Sequence, residues 1–379
     1  MDLPLKDIVI LDFSQFLAGP VATLRLQDLG ARVIKVEQPK IGDISRKKLV
    51  LANQFIDEDT LSFNVMNRGK ESIVFDLKNS IDLKRIKKLL KSVDVMIHNY
   101  RPGVMEKFGL DYETLSKTHP KLIYGWINGY GNISQYKDRP GVDILAQSIS
   151  GLCHITGSKL QRPITFGAAI TDMNASIQMA LGISSLLYRR TKSKKGGIVE
   201  TSLIESSFDV QFDLLATYLH LGEKSLPKST KEESAHTMVP APAGIYRTKD
   251  GYITLAMYPV DKLLEILNLD SEPYKDPTTW WENRDEILES LSEVFKLNTS
   301  KNWLKLLDNH DVWVAPLNSQ EDIVNQKILE ELDMVREIDD IKIKTLTSPL
   351  TIDKERNFSS KKAPSIGEDT EKIITEFDL

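Results

Sequence analysis

The composition of this 379-residue chain excludes several classes of protein. Its length exceeds what one hydrophobic core usually serves, so we expect two domains. A net charge of -5 offers no long-range attraction for nucleic acid or an anionic membrane. The single cysteine, Cys153, cannot form an intrachain disulfide, and no apolar stretch reaches the roughly 20 residues of a membrane span. These features predict a soluble cytoplasmic protein without nucleic-acid or membrane partners.

The first 200 residues alternate between strand-like and helical patterns. Short apolar runs rich in β-branched residues predict strands, and segments with apolar residues at helical spacing lie between them. The predicted strands are DIVILD, ARVIKVE, ESIVFDLK, VDVMIHN, KLIYGWINGYG and KSKKGGIVETSL, and the helices include LAGPVATLRLQDLG, DLKRIKKLLKSV and DYETLSKTHP. This alternation predicts an α/β fold with a doubly wound, mostly parallel, Rossmann-like sheet. Such sheets bind ligands at the carboxyl ends of their strands.

A long helix is predicted from Asp172 to Arg190, with an acidic start and a basic end that match the helix dipole. Asp172 follows the small-residue stretch FGAAIT, where a carboxylate could belong to an anionic site. An aspartate in the first turn of a helix is more often only a capping or dipole residue. Position alone therefore does not make Asp172 catalytic.

The second half of the chain has a different pattern. Residues 223–242 are polar and contain proline, which predicts a linker or an active-site loop. A hairpin is predicted around Asp250 and Gly251, followed by charged helices to about residue 335, and a final amphipathic helix closes the chain. This pattern predicts a smaller α+β domain.

Other motifs are weak by themselves. NRGKES and NYRPGVMEK bring cations and amides to predicted strand ends, where they could contact phosphates, although surface turns carry such residues routinely. The six histidines lack the close spacing of a zinc site, and neither a P-loop nor a dinucleotide fingerprint occurs. Cys153 beside His154 is better explained as a small buried residue than as a nucleophile. We predict no metal site.

Taken together, ordered segments along nearly the whole chain resemble the class III CoA-transferase family of the CaiB/BaiF type, which includes formyl-CoA transferases and α-methylacyl-CoA racemases. The matching segments are LDFSQFLAGPVATLRLQDLGARVIKVEQPKIGD, FNVMNRGKESIVFDLK, HNYRPGVMEKFGLDYETL, GYGNISQYKDRPGVDILAQSISG, ITDMNASIQMALGISSLLYRRTKSKKGGIVETSL, GIYRTKDGYITLA, VWVAPLNSQEDIV and APSIGEDTEKII.

The resemblance implies the reaction and its residues. Asp172 would attack an acyl-CoA thioester, and an aspartyl anhydride and an aspartyl-CoA thioester would follow before CoA passes to a second carboxylic acid. With an ordinary pKa of about 4, this carboxylate would be ionised at neutral pH and need no general base. CoA and acyl-CoA are then substrates, with no tightly bound cofactor. The residues expected along CoA and the thioester are Phe16, Leu17, Ala18, Lys70, Asn99, Tyr100, Arg101, Lys107 and Arg139.

The resemblance also implies an architecture. The large CoA-binding domain would comprise residues 1–200 and 330–379 and the small domain residues 225–325. Residues 201–224 and 326–345 would connect them, and two ring-shaped chains would interlock in a homodimer. Whether the loop at 234–244 closes the site is left open.

Departures from the family pattern separate the alternatives. Racemases carry a histidine base where this chain has Val142, so a transferase is favoured over an acyl-CoA racemase or isomerase. Leu17 stands where oxalate enzymes have glutamine, and SAHTMVPAPAGIY lacks their glycine run, which disfavours oxalate as the acceptor. A CoA-binding protein without turnover is a further alternative, against which the retained Asp172 argues. The two acids stay unidentified.

Overall fold

The computed structural model describes residues 3–47, 54–56, 58–133, 135–222, 228–234 and 236–379. The chain divides into two compact units. The first comprises Met1–Ala146, Ala168–Val210 and Leu329–Leu379, and the second comprises Gln147–Gly167 and Gln211–Ile328.

A six-stranded parallel sheet forms the centre of the first unit. Its strands are β1 (Val9–Asp12), β2 (Arg32–Glu37), β5 (Glu71–Val74), β6 (Val95–His98), β7 (Ile123–Asn128) and β8 (Gly197–Ser202). Two-stranded pairs are formed by β3 (Phe55–Ile56) with β4 (Asp59–Thr60), and by β12 (Val335–Ile338) with β13 (Ile343–Leu346). The sheet order β5-β2-β1-β6-β7-β8 is that of a doubly wound fold, in which the strand order reverses between β1 and β6. The predicted fold class is confirmed.

Helices cover both faces of this sheet. Neighbouring strand residues point to opposite faces, so Leu11 packs into one apolar cluster and Ile10 into another. The helices of this unit are α1 (Ala18–Asp28), α2 (Leu61–Asn67), α3 (Ser80–Leu89), α4 (Tyr112–Thr118), α5 (Asp143–Ile149), α7 (Ile170–Ser193), α8 (Leu203–Val210) and α15 (Thr370–Glu376), with the end of α5 entering the second unit. α1 and α7 share the cluster of Ile10, whereas α3, α4 and α15 contribute to that of Leu11. The predicted long helix is present and begins two residues before Asp172.

The second unit contains a three-stranded antiparallel sheet of β9 (Gly244–Arg247), β10 (Tyr252–Leu255) and β11 (Val314–Pro316). The helices of this unit are α6 (Leu152–Ile155), α9 (Phe212–Leu221), α10 (Val260–Ile266), α11 (Arg284–Phe295), α12 (Ser300–Asp308) and α13 (Gln320–Asn325), and α14 (Ile328–Glu331) begins at its last residue. β9 and β10 form the predicted hairpin around Asp250–Gly251. In the core of this unit, the ring of Phe295 packs at a tilt against Tyr246 and edge to face with Trp303.

The unit boundaries differ from those expected from sequence. Residues 147–167, predicted within the large domain, belong to the second unit. The backbone N–H of Lys159 donates to the carbonyl of Ser229, and the ammonium of Lys228 donates to the carbonyls of His154 and Thr156. Residues 223–227 and 235, within the predicted polar connection, lie outside the described residues.

Among the helices of the described ranges, none combines the length and apolarity that a bilayer crossing requires. The interlocked homodimer stays a prediction.

Candidate active site

The carboxyl ends of β1 and β6 meet where the strand order reverses, and this is the place where doubly wound sheets bind ligands. β1 ends at Asp12 and is followed by the turn that contains Phe16 and Leu17. β6 ends at His98 and is followed directly by Asn99, Tyr100 and Arg101. Two groups of residues predicted from sequence to line CoA therefore lie at one edge of the sheet.

The segment Ser14–Ala18, called here the β1 turn, is held by buried charged groups. Asp12 accepts hydrogen bonds from the backbone N–H and the hydroxyl of Ser14, and the Lys35 ammonium donates to the Ser14 carbonyl. Asp43 accepts from the backbone N–H of Phe16 at 3.2 Å and pairs with Lys35 at 2.8 Å. These bonds fix Phe16 in a left-handed backbone conformation, with φ of 66°. Its side chain, 40% exposed, is thereby turned to solvent.

A glycine permits the close contact between this turn and α1. A Cβ added at Gly19 would lie 2.2 Å from the Ser14 Cβ, a distance at which the two atoms clash. Any larger residue would push the β1 turn away from the start of α1.

Asn99 joins the two loops through its side-chain amide. The backbone N–H of Gln15 donates to Asn99 Oδ1 at 2.9 Å, and Asn99 Nδ2 donates to the Gln15 carbonyl at 2.7 Å. This reciprocal pair uses the amide as a clamp on the main chain of the β1 turn. Asn99, expected from sequence to lie near the thiol arm of CoA, thus also positions the residue that precedes Phe16.

The backbone of Tyr100 is fixed by two aromatic neighbours. Its N–H donates to His98 Nδ1 at 3.2 Å, and its carbonyl accepts from Trp126 Nε1 at 3.0 Å. His98 Nε2 lies 2.8 Å from the hydroxyl of Tyr124, which itself donates to the carbonyl of Leu110. Burial lowers the pKa of His98 to about 3. His98 is therefore a neutral structural residue, protonated on Nε2, that shapes the loop after β6.

Lys70 occupies an interior position that differs from its predicted place along CoA. Its ammonium, 0% exposed, donates to Asp12 Oδ2 at 3.2 Å and to oxygen atoms of Pro20, Thr23 and Asn67. Burial lowers the pKa of Lys70 to about 8, and the neighbouring Asp12 carboxylate opposes that shift. All of these partners are protein oxygens, so Lys70 supports the β1 turn from beneath and presents no surface to a phosphate.

This placement makes a testable prediction for Lys70→Met. Asp12 would keep a buried charge but lose the cation that is hydrogen-bonded to it, so we expect the free energy of unfolding to fall by about 3 kcal/mol. Urea unfolding measures this change. The exposed Lys107 is the control, because Lys107→Met should alter stability by less than about 0.5 kcal/mol. A Lys70→Met variant with normal stability and weak CoA binding would instead support the direct contact with CoA that the sequence predicted.

Asp172 lies in the first turn of α7, next to a second carboxylate. Asp143 Oδ2 accepts from the backbone N–H and the hydroxyl of Thr171, at 2.8 and 2.7 Å, and from the backbone N–H of Asp172 at 3.1 Å. Asp143 thus caps the N-terminus of α7 from a segment earlier in the chain. Among the described residues, no group donates a hydrogen bond to the carboxylate of Asp172 itself.

Asp143 is brought to α7 by a contact between two glycines. A Cβ added at Gly141 would lie 2.5 Å from the Cα of Gly129, so the loop after β7 touches the segment just before Asp143. A side chain at either glycine would displace that segment. Val142, between Gly141 and Asp143, carries no group that could transfer a proton.

The electrostatic surroundings of Asp172 change one expectation. Burial, together with the negative charge of Asp143, raises its pKa from 3.8 to about 7. The sequence-based expectation of an ordinary pKa near 4 is therefore wrong. Near neutral pH this carboxyl group is divided between its ionised and protonated forms.

Three predicted cations lie in the connections that follow β6 and β7, Arg101 and Arg139 in loops and Lys107 in the short 3₁₀ helix Glu106–Phe108. Arg101 and Lys107 follow β6, and Arg139 lies between β7 and α5 with its guanidinium 5.3 Å from the ring centre of Tyr136. All three are exposed, as a site for phosphate groups requires. Phe16, Leu17, Ala18, Asn99 and Tyr100 lie at the meeting point of the β1 and β6 loops.

Sequence reasoning missed three residues of this site. Asp43 holds Phe16, Asp143 caps α7, and the hydroxyl of Ser176 bonds to the Ala18 carbonyl. Each acts on a segment distant in the chain, and no local pattern in the sequence marks such contacts.

Comparison with known proteins gives the family. The family described as CoA-transferase family III matches residues 5–370. The chain belongs to this family. It is a CoA-transferase, and its substrates are therefore CoA thioesters and carboxylic acids.

Related enzymes and a solved structure of another protein match this CoA-transferase over nearly its full length. It is 31% identical to the human succinyl-CoA:glutarate CoA-transferase, over 98% of this chain and 86% of that protein. It is 27% identical to the succinyl-CoA:mesaconate CoA-transferase of Haloarcula hispanica, over 98% and 96%. A crystal structure of a CaiB/BaiF family protein from Brucella suis superposes with a TM-score of 0.83 at 28% identity and covers both chains completely.

Proposed function

We propose that this CoA-transferase moves CoA from succinyl-CoA to a second dicarboxylic acid through covalent intermediates on Asp172. The observation that carries the proposal is the carboxylate in the first turn of α7, which has no hydrogen-bond donor among the described residues and stays partly ionised near neutral pH. A carboxylate without a paired cation or donor keeps its lone pairs for attack on a thioester.

Each step exchanges one bond for another. An oxygen of Asp172 attacks the thioester carbonyl, the C–S bond breaks, and a mixed anhydride and CoA thiolate form. The thiolate attacks the aspartyl carbonyl, which releases the donor acid and leaves an aspartyl-CoA thioester. The acceptor carboxylate attacks that thioester and again forms an anhydride and CoA thiolate. The thiolate then attacks the acceptor's acyl carbonyl, so the new acyl-CoA leaves and Asp172 returns to its starting state.

The β1 turn would stabilise the charge that develops on the thioester oxygen. The first backbone N–H groups of a helix have no partner within the helix, and α1 begins at Ala18, the last residue of the turn. These groups and the positive end of the α1 dipole suit a developing oxyanion. Arg101, Lys107 and Arg139 would contact the phosphates of CoA, and Asn99 and Tyr100 would lie beside its thiol arm.

The proposed acids come from the relatives. The names of the human and Haloarcula hispanica enzymes give succinyl-CoA as donor and a second dicarboxylate, glutarate or mesaconate, as acceptor. Leu17 and the absence of a glycine run in residues 234–246 disfavour oxalate.

A direct assay tests this proposal. Purified protein is incubated with succinyl-CoA and either glutarate, mesaconate, malate, acetate or propionate, and the acyl-CoA products are separated by chromatography. We expect dicarboxyl-CoA products, with kcat/KM at least about tenfold above that for the monocarboxylates. Faster transfer to acetate or propionate would contradict the proposal that the acceptor is a dicarboxylic acid. If no acceptor reacts while deuterium enters the α-carbon of an acyl-CoA, the protein is a racemase or isomerase instead.

A further inference from the structure

Ser176 links the helix that carries Asp172 to the start of α1. Its hydroxyl oxygen lies 2.8 Å from the carbonyl oxygen of Ala18 and 2.7 Å from that of Asp172. Ser176 is completely buried, and Ala18 is the last residue of the β1 turn. A hydroxyl carries one proton, so these two carbonyl acceptors share it.

The bond from Ser176 to Ala18 adds a directional contact between α7 and α1, which otherwise pack through apolar side chains. α1 and α7 pack through Ala22, Leu26, Met179 and Ile183, and such contacts are non-directional. A hydrogen bond has a narrow range of length and angle. The bond from Ser176 to Ala18 therefore fixes how far α7 is shifted along α1.

Ser176 also contacts Asp172 directly, through a second hydrogen bond. Residues four positions apart lie on one face of a helix, so Asp172 projects from the face of α7 that meets α1 at Ala18. The carbonyl of Asp172 also shares the Ser176 proton. The nucleophile and the β1 turn are thus tied to one atom, the Ser176 Oγ.

We propose that Ser176 is a positioning residue that sets the distance between the Asp172 carboxylate and the β1 turn for attack on the thioester. This inference rests on the proposed function, since it assigns Ser176 a part in the covalent step alone. Reacting atoms must approach to about 3 to 3.5 Å, and a displacement of about 1 Å can lower a rate by on the order of a hundredfold.

The test compares two serines of the same helix. Ser185 makes a similar bond, with its hydroxyl 2.8 Å from the carbonyl of Leu181, but it is exposed and its bond stays within α7. Ser176→Ala and Ser185→Ala therefore remove one bond within the helix each, and only the first also removes the bond to α1. The rate constant of adduct formation with succinyl-CoA is followed by rapid quench and intact-protein mass spectrometry, and the Kd of CoA is measured separately.

We expect Ser176→Ala to form the adduct about 10- to 100-fold more slowly than wild type, with the Kd of CoA within about twofold. Ser185→Ala should match wild type in both. Ser176→Cys keeps a similar shape but donates only a weak hydrogen bond, so its rate should fall between those of wild type and Ser176→Ala. It also replaces Ser176→Ala in the comparison if that variant does not fold.

Two results would overturn the inference, and they are distinguishable. Equal adduct rates in wild type and in the Ser176 variants, or rates that fall only in parallel with CoA affinity and melting temperature, would remove the positioning role alone. Absence of an Asp172-dependent adduct in wild type would overturn the proposed function, and the role of Ser176 with it.

Discussion

Replacing Asp172 by asparagine is expected to abolish the covalent adduct with succinyl-CoA and to lower CoA transfer by at least about a thousandfold. The amide has nearly the shape of the carboxyl group, yet its oxygen is a poor nucleophile and its carbonyl cannot form the anhydride. Intact-protein mass spectrometry with and without hydroxylamine measures the adduct. Chromatography of the acyl-CoA products measures transfer.

Asp209 supplies the matched control for this substitution. It is an exposed carboxylate that accepts hydrogen bonds from Asn174 and Gln178 of α7. Asp209→Asn therefore removes a negative charge beside the same helix and should keep both adduct and transfer near wild-type levels. An adduct that persists in Asp172→Asn would place the nucleophile elsewhere.

Asp172→Asn should also stabilise the protein at alkaline pH. The pKa of Asp172 is about 7 in the folded chain against an ordinary 3.8. Between these two pH values the folded state holds a proton that the unfolded state has released. Stability contributed by this group is complete below pH 3.8 and is lost as the pH rises through about 7. Asp172→Asn should consequently melt at a higher temperature than wild type at pH 8, and the difference should shrink at lower pH.

The rate of adduct formation should rise about tenfold per pH unit below pH 7 and level off above pH 8. Only the ionised carboxylate attacks, and a pKa of about 7 leaves Asp172 mostly protonated at pH 6. Single-turnover rates with succinyl-CoA between pH 5 and 9 measure the profile. A rate that is already independent of pH at pH 5 would show that Asp172 keeps an ordinary carboxyl pKa.

Asp143→Asn separates the two causes of this raised pKa. Burial is the larger cause and remains, whereas the repulsion from the Asp143 charge disappears. The midpoint of the profile should move to lower pH yet stay above the ordinary value of 3.8. Asparagine can still accept hydrogen bonds from Thr171, so the helix cap is kept. Asp138→Asn, which removes an exposed carboxylate from the loop before α5, should leave the midpoint unchanged.

The sequence by itself determined the repeating elements and the family. Apolar runs and helical spacing predicted the strands from DIVILD onward and the helix that bears Asp172, because burial on one or both faces imposes those periods. The hairpin around Asp250–Gly251 was predictable from a local turn signal. The ordered motifs identified a CoA-transferase before any distance was known.

Only the tertiary structure decided what the site residues do. Gln15 and Asn99, which form the reciprocal clamp, are 84 positions apart, and Ser176 and Ala18 are 158 positions apart. A local sequence pattern does not indicate contacts between residues so far apart in the chain. Lys70 resembled an exposed cation in sequence, and only the packing of Asp12, Thr23 and Asn67 around it makes it an interior one. The pKa of Asp172 depends on burial and on Asp143, both of which exist only once α7 docks on the fold.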